Sequence, residues 1–304
     1  MPELPDIEVY IAALRSRVAD RVLSRVLIRG PFVLRTFDPP VDAAEGKRVL
    51  SVERLGKRIV LGLEGELFLV IHLMIAGRLL WKKAGAQARG KIDLASFDFH
   101  DAGVLVLTEA SPKKRASLHV LKGRGALAEH DRGGIDVLSC SPTEFGKVLI
   151  AENRTLKRRL TDSRAFSGIG NAYSDEILHA AQLSPVKLTT SLKADEIAKL
   201  HESTVRVLTE WIARLHAEFA NRFPGVGEIT AFRPEFAVHG RYGKPCPVCS
   251  SPVQRIVHAE NETNYCATCQ TGGKVLADRS LSRLLKDDWP RTIEEWESDV
   301  GETK

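Results

Sequence analysis

Cys246, Cys249, Cys266 and Cys269 form a C-x2-C-x16-C-x2-C pattern near the end of the chain. Each pair fits one tight turn carrying two thiolates, and two such turns close a tetrahedral zinc site with no open position. A closed site is structural. One Zn2+ is therefore expected to pin the intervening "PVQRIVHAENETNY" as a short β-hairpin whose tip can probe a groove. Two redox pairs are the competing reading, but neither sits at a strand-to-helix junction of thioredoxin type. The fifth cysteine, Cys140, stands apart, and two tight pairs with a leftover do not fit the framework of an oxidising compartment.

The 304-residue chain is 43% apolar, enough for two cored domains and an appendage. The longest apolar stretch, "LFLVIHLMIAG", is too short to span a bilayer, and no signal peptide precedes it. A soluble, cytoplasmic monomer is expected, nucleoid-associated if bacterial. Net charge is only +5, but it is unevenly spread. "PKKRASLHVLKGR" holds five Lys/Arg and no acid, "NRTLKRRLTDSR" five against one Asp, and the last twenty residues seven acids against three bases. Concentrated basic stretches fit a polyanion-binding face, although either one alone fits ordinary solvated lysines as well.

Asp6 is a possible cap for a first helix, with Ile7, Ile11, Leu14 and Val18 on one face. From Arg21 to about Leu121 the chain reads as short alternating strands broken by glycine turns, with "GAQARGK" as a loop. At 141–144, "SPTE" reads as a capping box with proline at the first helical position. Then follow "RTLKRRL", a turn at "SGIG", a helix through "NAYSDEILHAAQ" and a long amphipathic helix from about Ala194 to Ala220. The expected fold is α+β: an N-terminal helix plus an antiparallel β-sandwich over 1–130, a helix–two-turn–helix domain over 140–240, the zinc finger over 241–272, and an acidic extension over 273–304.

Two further segments carry chemistry. The glycine turn before "NAYSDEIL" and the helix start behind it expose backbone N–H groups suited to a phosphate, with Lys157 and Asn171 as added donors. Helix–turn–helix arrangements are as often plain packing. The chain begins "MPELPDIEVY". Loss of Met1 makes Pro2 a secondary α-amine, and α-amines ionise near 7.7–8.0 against about 10.4 for lysine. Such an amine attacks an aldehydic or acetal carbon, and Glu3 beside it is placed to shuttle protons. Taken alone, "PELP" fits a stiffened helix entry equally well.

Together these features resemble the formamidopyrimidine-DNA glycosylase/endonuclease VIII family. "PELPDIE", "GK" at 56–57, "HLMIAG", "SGIGNAYSDEIL" and "HGRYGKPCPVC…YCATC" occur in the family's order across residues 1–272. The resemblance implies a bifunctional DNA glycosylase/AP lyase that flips an oxidised base, such as 8-oxoguanine or a formamidopyrimidine, from damaged duplex DNA. It implies that Pro2 attacks the sugar C1′, that Glu3 assists ring opening, and that Lys57 contacts phosphate, unless it is an ordinary turn lysine. Lys157 and Asn171 would grip phosphates, and the four cysteines would bind zinc. "PELP" favours the purine-directed branch over "PEGP".

Three places depart from the family pattern. "HLMIAG" replaces "HLGMSG", putting Ile75 where a methionine wedges and Met74 one position earlier; either is a wedge or strand core. "SPKKRA" replaces "DPRRFG", putting Lys114 at the duplex-filling arginine and Arg115 at a wedging phenylalanine. "HAENETNYC" replaces "HAQRATFYC", putting Asn261 between Glu260 and Glu262 at the finger's phosphate-binding arginine. This substitution predicts weaker δ-elimination, weaker DNA affinity, or replacement by a base such as Arg255. Two other readings follow: specialisation for hydantoins, ring-opened purines, or single-stranded or distorted DNA, and a lesion-binding protein without turnover. The segment "LADRSLSRLLKDDW" fits a short amphipathic helix, an element for an unknown partner, or a solvated tail.

Overall fold

The computed structural model describes residues 1–258, 261–277 and 290–301. They pack as two compact units, Met1–Gly133 with Glu210–Ala231, and Gly134–Thr209 with the chain from Phe232 onward.

The first unit opens with α1 (Leu4–Val18). Asp6, expected as its cap, is instead its third residue. Glu3 occupies the N-cap and its N–H donates to the Asp6 carboxylate at 2.9 Å. The helix starts earlier because Pro5 is tolerated in the first turn, where no intrahelical N–H partner exists. Nine strands follow: β1 (Val22–Leu23), β2 (Arg25–Ile28), β3 (Lys47–Leu55), β4 (Arg58–Leu63), β5 (Leu67–His72), β6 (Gly77–Lys82), β7 (Asp93–Asp98), β8 (Val104–Glu109) and β9 (Ser117–Lys122). They form two sheets, ordered β1-β3-β4-β5-β9 and β2-β7-β8-β6, with antiparallel ladders throughout. The core between them takes Ile7, Ile11 and Leu14 from α1, Leu61 and Leu69 from one sheet, and Phe97 and Leu107 from the other. Each buried aliphatic or aromatic side chain of this size contributes roughly 1.5–3 kcal/mol relative to exposure. Leu215, Phe219 and Ile229 join the same core, so the end of the long helix completes the sandwich.

After a short α2 (Arg124–Glu129), the second unit is helical. Its elements are α3 (Pro142–Ile150), α4 (Leu156–Leu160), α5 (Asn171–Ala180) and α6 (Ala194–Glu218), the last continuing into the first unit. The "SPTE" capping box forms as expected, with Ser141 Oγ accepting from the Glu144 N–H at 3.2 Å. The finger is a hairpin, β10 (Val253–His258) and β11 (Asn261–Cys266), followed by α7 (Ala267–Thr271). A final helix, α8 (Ile293–Gly301), packs on it. Ile293 is buried with Ile256 and Tyr265, and Trp296 meets Tyr242 edge-on at 6.2 Å. The helix expected within "LADRSLSRLLKDDW" lies almost wholly outside the described residues. Among the described residues no helix is long and apolar enough to cross a membrane.

Candidate active site and nucleic-acid interface

Met1 is 36% exposed, but the chain is enclosed from the second residue on. Pro2 is buried, and Glu3 and Asp6 are 3% and 2% exposed. Burial lowers the pKa of the terminal amine; Glu3 and Asp6 oppose the fall, while Arg78 and Lys57 add to it. Two carboxylates and two cations therefore act on the amine of Met1, one residue ahead of Pro2. Lys57 sits in the turn joining β3 to β4, behind Gly56 at φ +62°. Arg78, which the sequence reading missed, donates from Nε to the Ile229 carbonyl at 2.6 Å and from its guanidinium to the Ile75 carbonyl at 3.1 Å. It ties the turn that carries Ile75 to the surroundings of the terminal amine.

In that turn the Gly77 N–H donates to the Leu73 carbonyl at 2.8 Å. A Cβ on Gly77 would lie 2.2 Å from the same oxygen, so only glycine closes it. Ile75 projects at the crest, 52% exposed. Met74 is half-buried and left-handed, φ +52°, at the position where "HLGMSG" has glycine. In the "SPKKRA" loop, Lys114 Nζ turns back to donate to the Glu109 carbonyl, while Arg115 is exposed. The Glu109 carboxylate, 1% exposed, anchors the loop by accepting from the Ala116 N–H at 2.9 Å.

His72 is a second residue missed in the sequence. It ends β5 opposite Arg58 and Ser117. Burial, then Arg58, Lys57 and Arg132, hold its pKa down at about 4. His119, in edge contact with His130 at 4.6 Å, is held at about 4 by burial and by His130. Arg58 on β4, Lys57 in the turn before it and Arg132 beyond α2 thus bring three cations near His72, positions that no single stretch of sequence announces.

In the second unit, Lys157 and Asn171 are brought together, but as parts of a network. Lys157 Nζ donates to Asp175 Oδ1 at 2.5 Å and to the Asn171 carbonyl at 2.6 Å. Asp175 Oδ2 also receives His239 Nδ1 at 2.7 Å and the Asn264 N–H at 3.1 Å. The Asn171 side-chain amide donates to the Glu262 carbonyl at 2.9 Å. Glu176 accepts three backbone N–H groups, from Ala237, Val238 and His239, at 2.7, 2.9 and 2.9 Å. Burial raises its pKa and those donors pull it back. One face of α5 thus holds both the approach to the finger and its hairpin.

Asn261 begins β11, exposed, and Glu260 lies outside the described residues. The Arg255 guanidinium stacks 4.2 Å over Tyr242 and lies 3.6 Å from the Glu262 carboxylate. The Sγ atoms of Cys246, Cys249, Cys266 and Cys269 all fall within 4.8 Å of one another, with Cys249–Cys266 at 3.4 Å and Cys246–Cys269 at 3.9 Å. Four thiolates at about 2.3 Å from a tetrahedral zinc stand about 3.8 Å apart, so the donor set fits the ion. Backbone N–H groups of Val248 and Cys269 point at Cys246 and Cys266 at 3.5 Å.

The chain matches the formamidopyrimidine-DNA glycosylase N-terminal domain over residues 1–114, the H2TH domain of the same glycosylase over 138–219, and the zinc finger found in FPG and IleRS over 243–272. A formamidopyrimidine-DNA glycosylase of Thermus thermophilus is 33% identical over 280 residues, spanning 90% of this chain and 100% of the relative. The chain belongs to the formamidopyrimidine-DNA glycosylase family.

Another family glycosylase, from Chloroflexus aggregans, is 32% identical over 275 residues, 89% of this chain and 98% of its own. An uncharacterized formamidopyrimidine-DNA glycosylase-like protein of Mycobacterium tuberculosis is 40% identical over 153 residues, 50% of this chain and 94% of its own. The crystal structure of a Thermus thermophilus glycosylase of the family has a TM-score of 0.73 at 30% identity, covering 88% of this chain and 98% of that one. The Lactococcus lactis glycosylase, in complex with DNA containing an abasic site, shares the fold with a TM-score of 0.78 at 23% identity, covering 88% and 99%. As a formamidopyrimidine-DNA glycosylase family member, this protein is a DNA glycosylase of base excision repair with AP-lyase activity, and its finger is built for one structural zinc.

Proposed function

We propose that the protein excises oxidised purines, formamidopyrimidines and 8-oxoguanine among them, from damaged duplex DNA, with Pro2 as nucleophile once Met1 is removed. The observation that carries this reading is the buried Pro2 just before α1, with Glu3, Asp6, Lys57 and Arg78 gathered close enough to act on the charge of the chain's terminal amine. The freed Pro2 nitrogen attacks C1′, and the damaged base departs with the bonding pair and a proton. Glu3 protonates the ring oxygen as the sugar opens to an iminium. Loss of a C2′ proton then expels the 3′ phosphate, and a second elimination expels the 5′ phosphate. Lys57, with His72 beside it, faces the phosphates at the lesion; Asn171 and Lys157 hold the second unit's phosphate site in shape. Ile75 and Arg115 are the groups offered to the gap left by the flipped base, whose extrusion costs a few kcal/mol and less at a damaged pair.

Borohydride reduction on an abasic-site duplex tests the nucleophile. The processed enzyme should be trapped covalently, and Pro2→Gly or a chain retaining Met1 should trap far less. An undiminished adduct from both removes Pro2 from the chemistry.

A second substrate reading is favoured by Arg115 and Asn261, which leave the orphaned base without an aromatic wedge and the finger tip without its cation. On this reading hydantoins or lesions in single-stranded or distorted DNA are preferred, with Arg255 partly replacing the missing base. Excision rates of 8-oxoguanine, formamidopyrimidine and hydantoin in single- and double-stranded oligonucleotides separate the two.

A further inference from the structure

His179 has no part in the reading above, yet it touches the zinc finger. It lies near the end of α5, 5% exposed, and its Nε2 is 3.3 Å from Cys246 Sγ. Cys246 is itself 2% exposed. His179 is not a fifth ligand: the mutually close donor set is the four cysteines alone. A cysteine that binds zinc does so as thiolate, which only accepts hydrogen bonds. Two lone pairs cannot face each other at this distance, so the imidazole must present N–H to the sulfur.

We infer that His179 is a positioning residue for the zinc finger, donating Nε2–H to the Cys246 thiolate and so strengthening zinc retention and tying the finger's first knuckle to α5. Four thiolates around one Zn2+ leave a net charge of −2, and Cys246 and Cys266 are buried where water cannot disperse it. The imidazole N–H spreads part of that charge from Cys246. It also completes a stripe on α5: Asn171, Asp175 and His179, each four residues apart, hold the finger at Glu262, Asn264 and Cys246. Groups that orient metal ligands typically change metal affinity by about 10- to 100-fold when removed.

The test uses the full-length, zinc-loaded enzyme with His179→Phe, which keeps an aromatic ring but no donor, and His179→Gln, which restores an N–H. Zinc release to a colorimetric chelator should be about 10-fold faster in the phenylalanine variant, on the scale of lost ligand-orienting bonds, and substantially restored in the glutamine variant. In the cobalt-substituted protein, the sulfur-to-metal charge-transfer band of the phenylalanine variant should move to lower energy. Wild-type release and an unmoved band in that variant overturn the inference. Should the variants fail to fold, cadmium-113 substitution of the wild-type enzyme decides the matter. Scalar coupling through sulfur to the His179 Nε2–H proton is expected, and its absence rejects the bond.

Discussion

Lys157 and Asp175 form a buried ion pair, Nζ to Oδ1 at 2.5 Å, with the carboxylate side chain wholly enclosed. Lys157 Nζ also donates to the carbonyl of Asn171, the first residue of α5, so the lysine expected to face a phosphate serves here as a structural counter-ion. Asp175→Ala should strand this ammonium and release His239 and the Asn264 backbone together. Breaking one partner of a buried pair costs about 3–5 kcal/mol. Denaturant unfolding should record that loss, and Lys157→Met should cost less, because Asp175 keeps its other two donors.

Met74 holds a left-handed backbone that disfavours any side chain by about 1–2 kcal/mol. Glycine there gives back about 0.5–1 kcal/mol in unfolded-chain entropy. Met74→Gly should therefore stabilise the protein slightly, by up to about 1 kcal/mol, seen as a higher unfolding midpoint. A clear loss of stability would mean that the half-buried methionine side chain packs more favourably than the strain it carries.

Restoring a cation at the finger tip should show what its absence does. Asn261→Arg is expected to tighten binding to an abasic-site duplex several-fold at low salt. It should also steepen the log–log salt dependence by about 0.9 for the added phosphate contact. On a denaturing gel, the share of δ-elimination product should rise. An unchanged salt slope would place the tip away from the phosphates.

The sheet histidines set an acid limit. Both His72 and His119 have folded pKa values of about 4, below the unfolded value of about 6.5. The unfolded chain thus binds more protons between those values, and stability rises with pH across that window. Their contribution is complete above about pH 6.5 and is lost as the pH falls toward 4. Each pKa unit corresponds to about 1.36 kcal/mol; with partial solvent screening, about 1–2 kcal/mol is expected from His72. Thermal unfolding at pH 7.5 and 4.5 should show the loss, and His72→Asn should remove part of it.

Much of this molecule was legible in the residue order. Alternating β-branched stretches with glycine turns gave the sandwich strands, "SPTE" gave a helix start, and cysteine spacing gave the zinc site. The first helix began earlier than Asp6 suggested, because a proline in the first turn breaks no bond and an acid at the third position serves the cap equally well. Asp175, Glu176 and His179 were not legible as network residues. Polar positions inside an amphipathic helix look like a solvated face until the finger is packed upon them. Leu215 and Phe219 carry the same helical period as the residues before them, so nothing local announces that they serve a different core. Arg78 and His72 gained their significance only from what lies near them across strands.

The stripe on α5 also acts as a ruler. Four residues of helix advance about 6 Å, and two residues of strand advance about 6.8 Å. That near-commensurability lets Asn171 and Asp175 meet β11 at Glu262 and Asn264, two strand positions apart. A one-residue insertion within β11 would turn its alternate faces over and break every such meeting at once, whereas a change in the length of the hairpin tip would not. Variation in this finger should therefore collect at its tip, in reach and charge, while the strand's register stays fixed by the pitch of a helix.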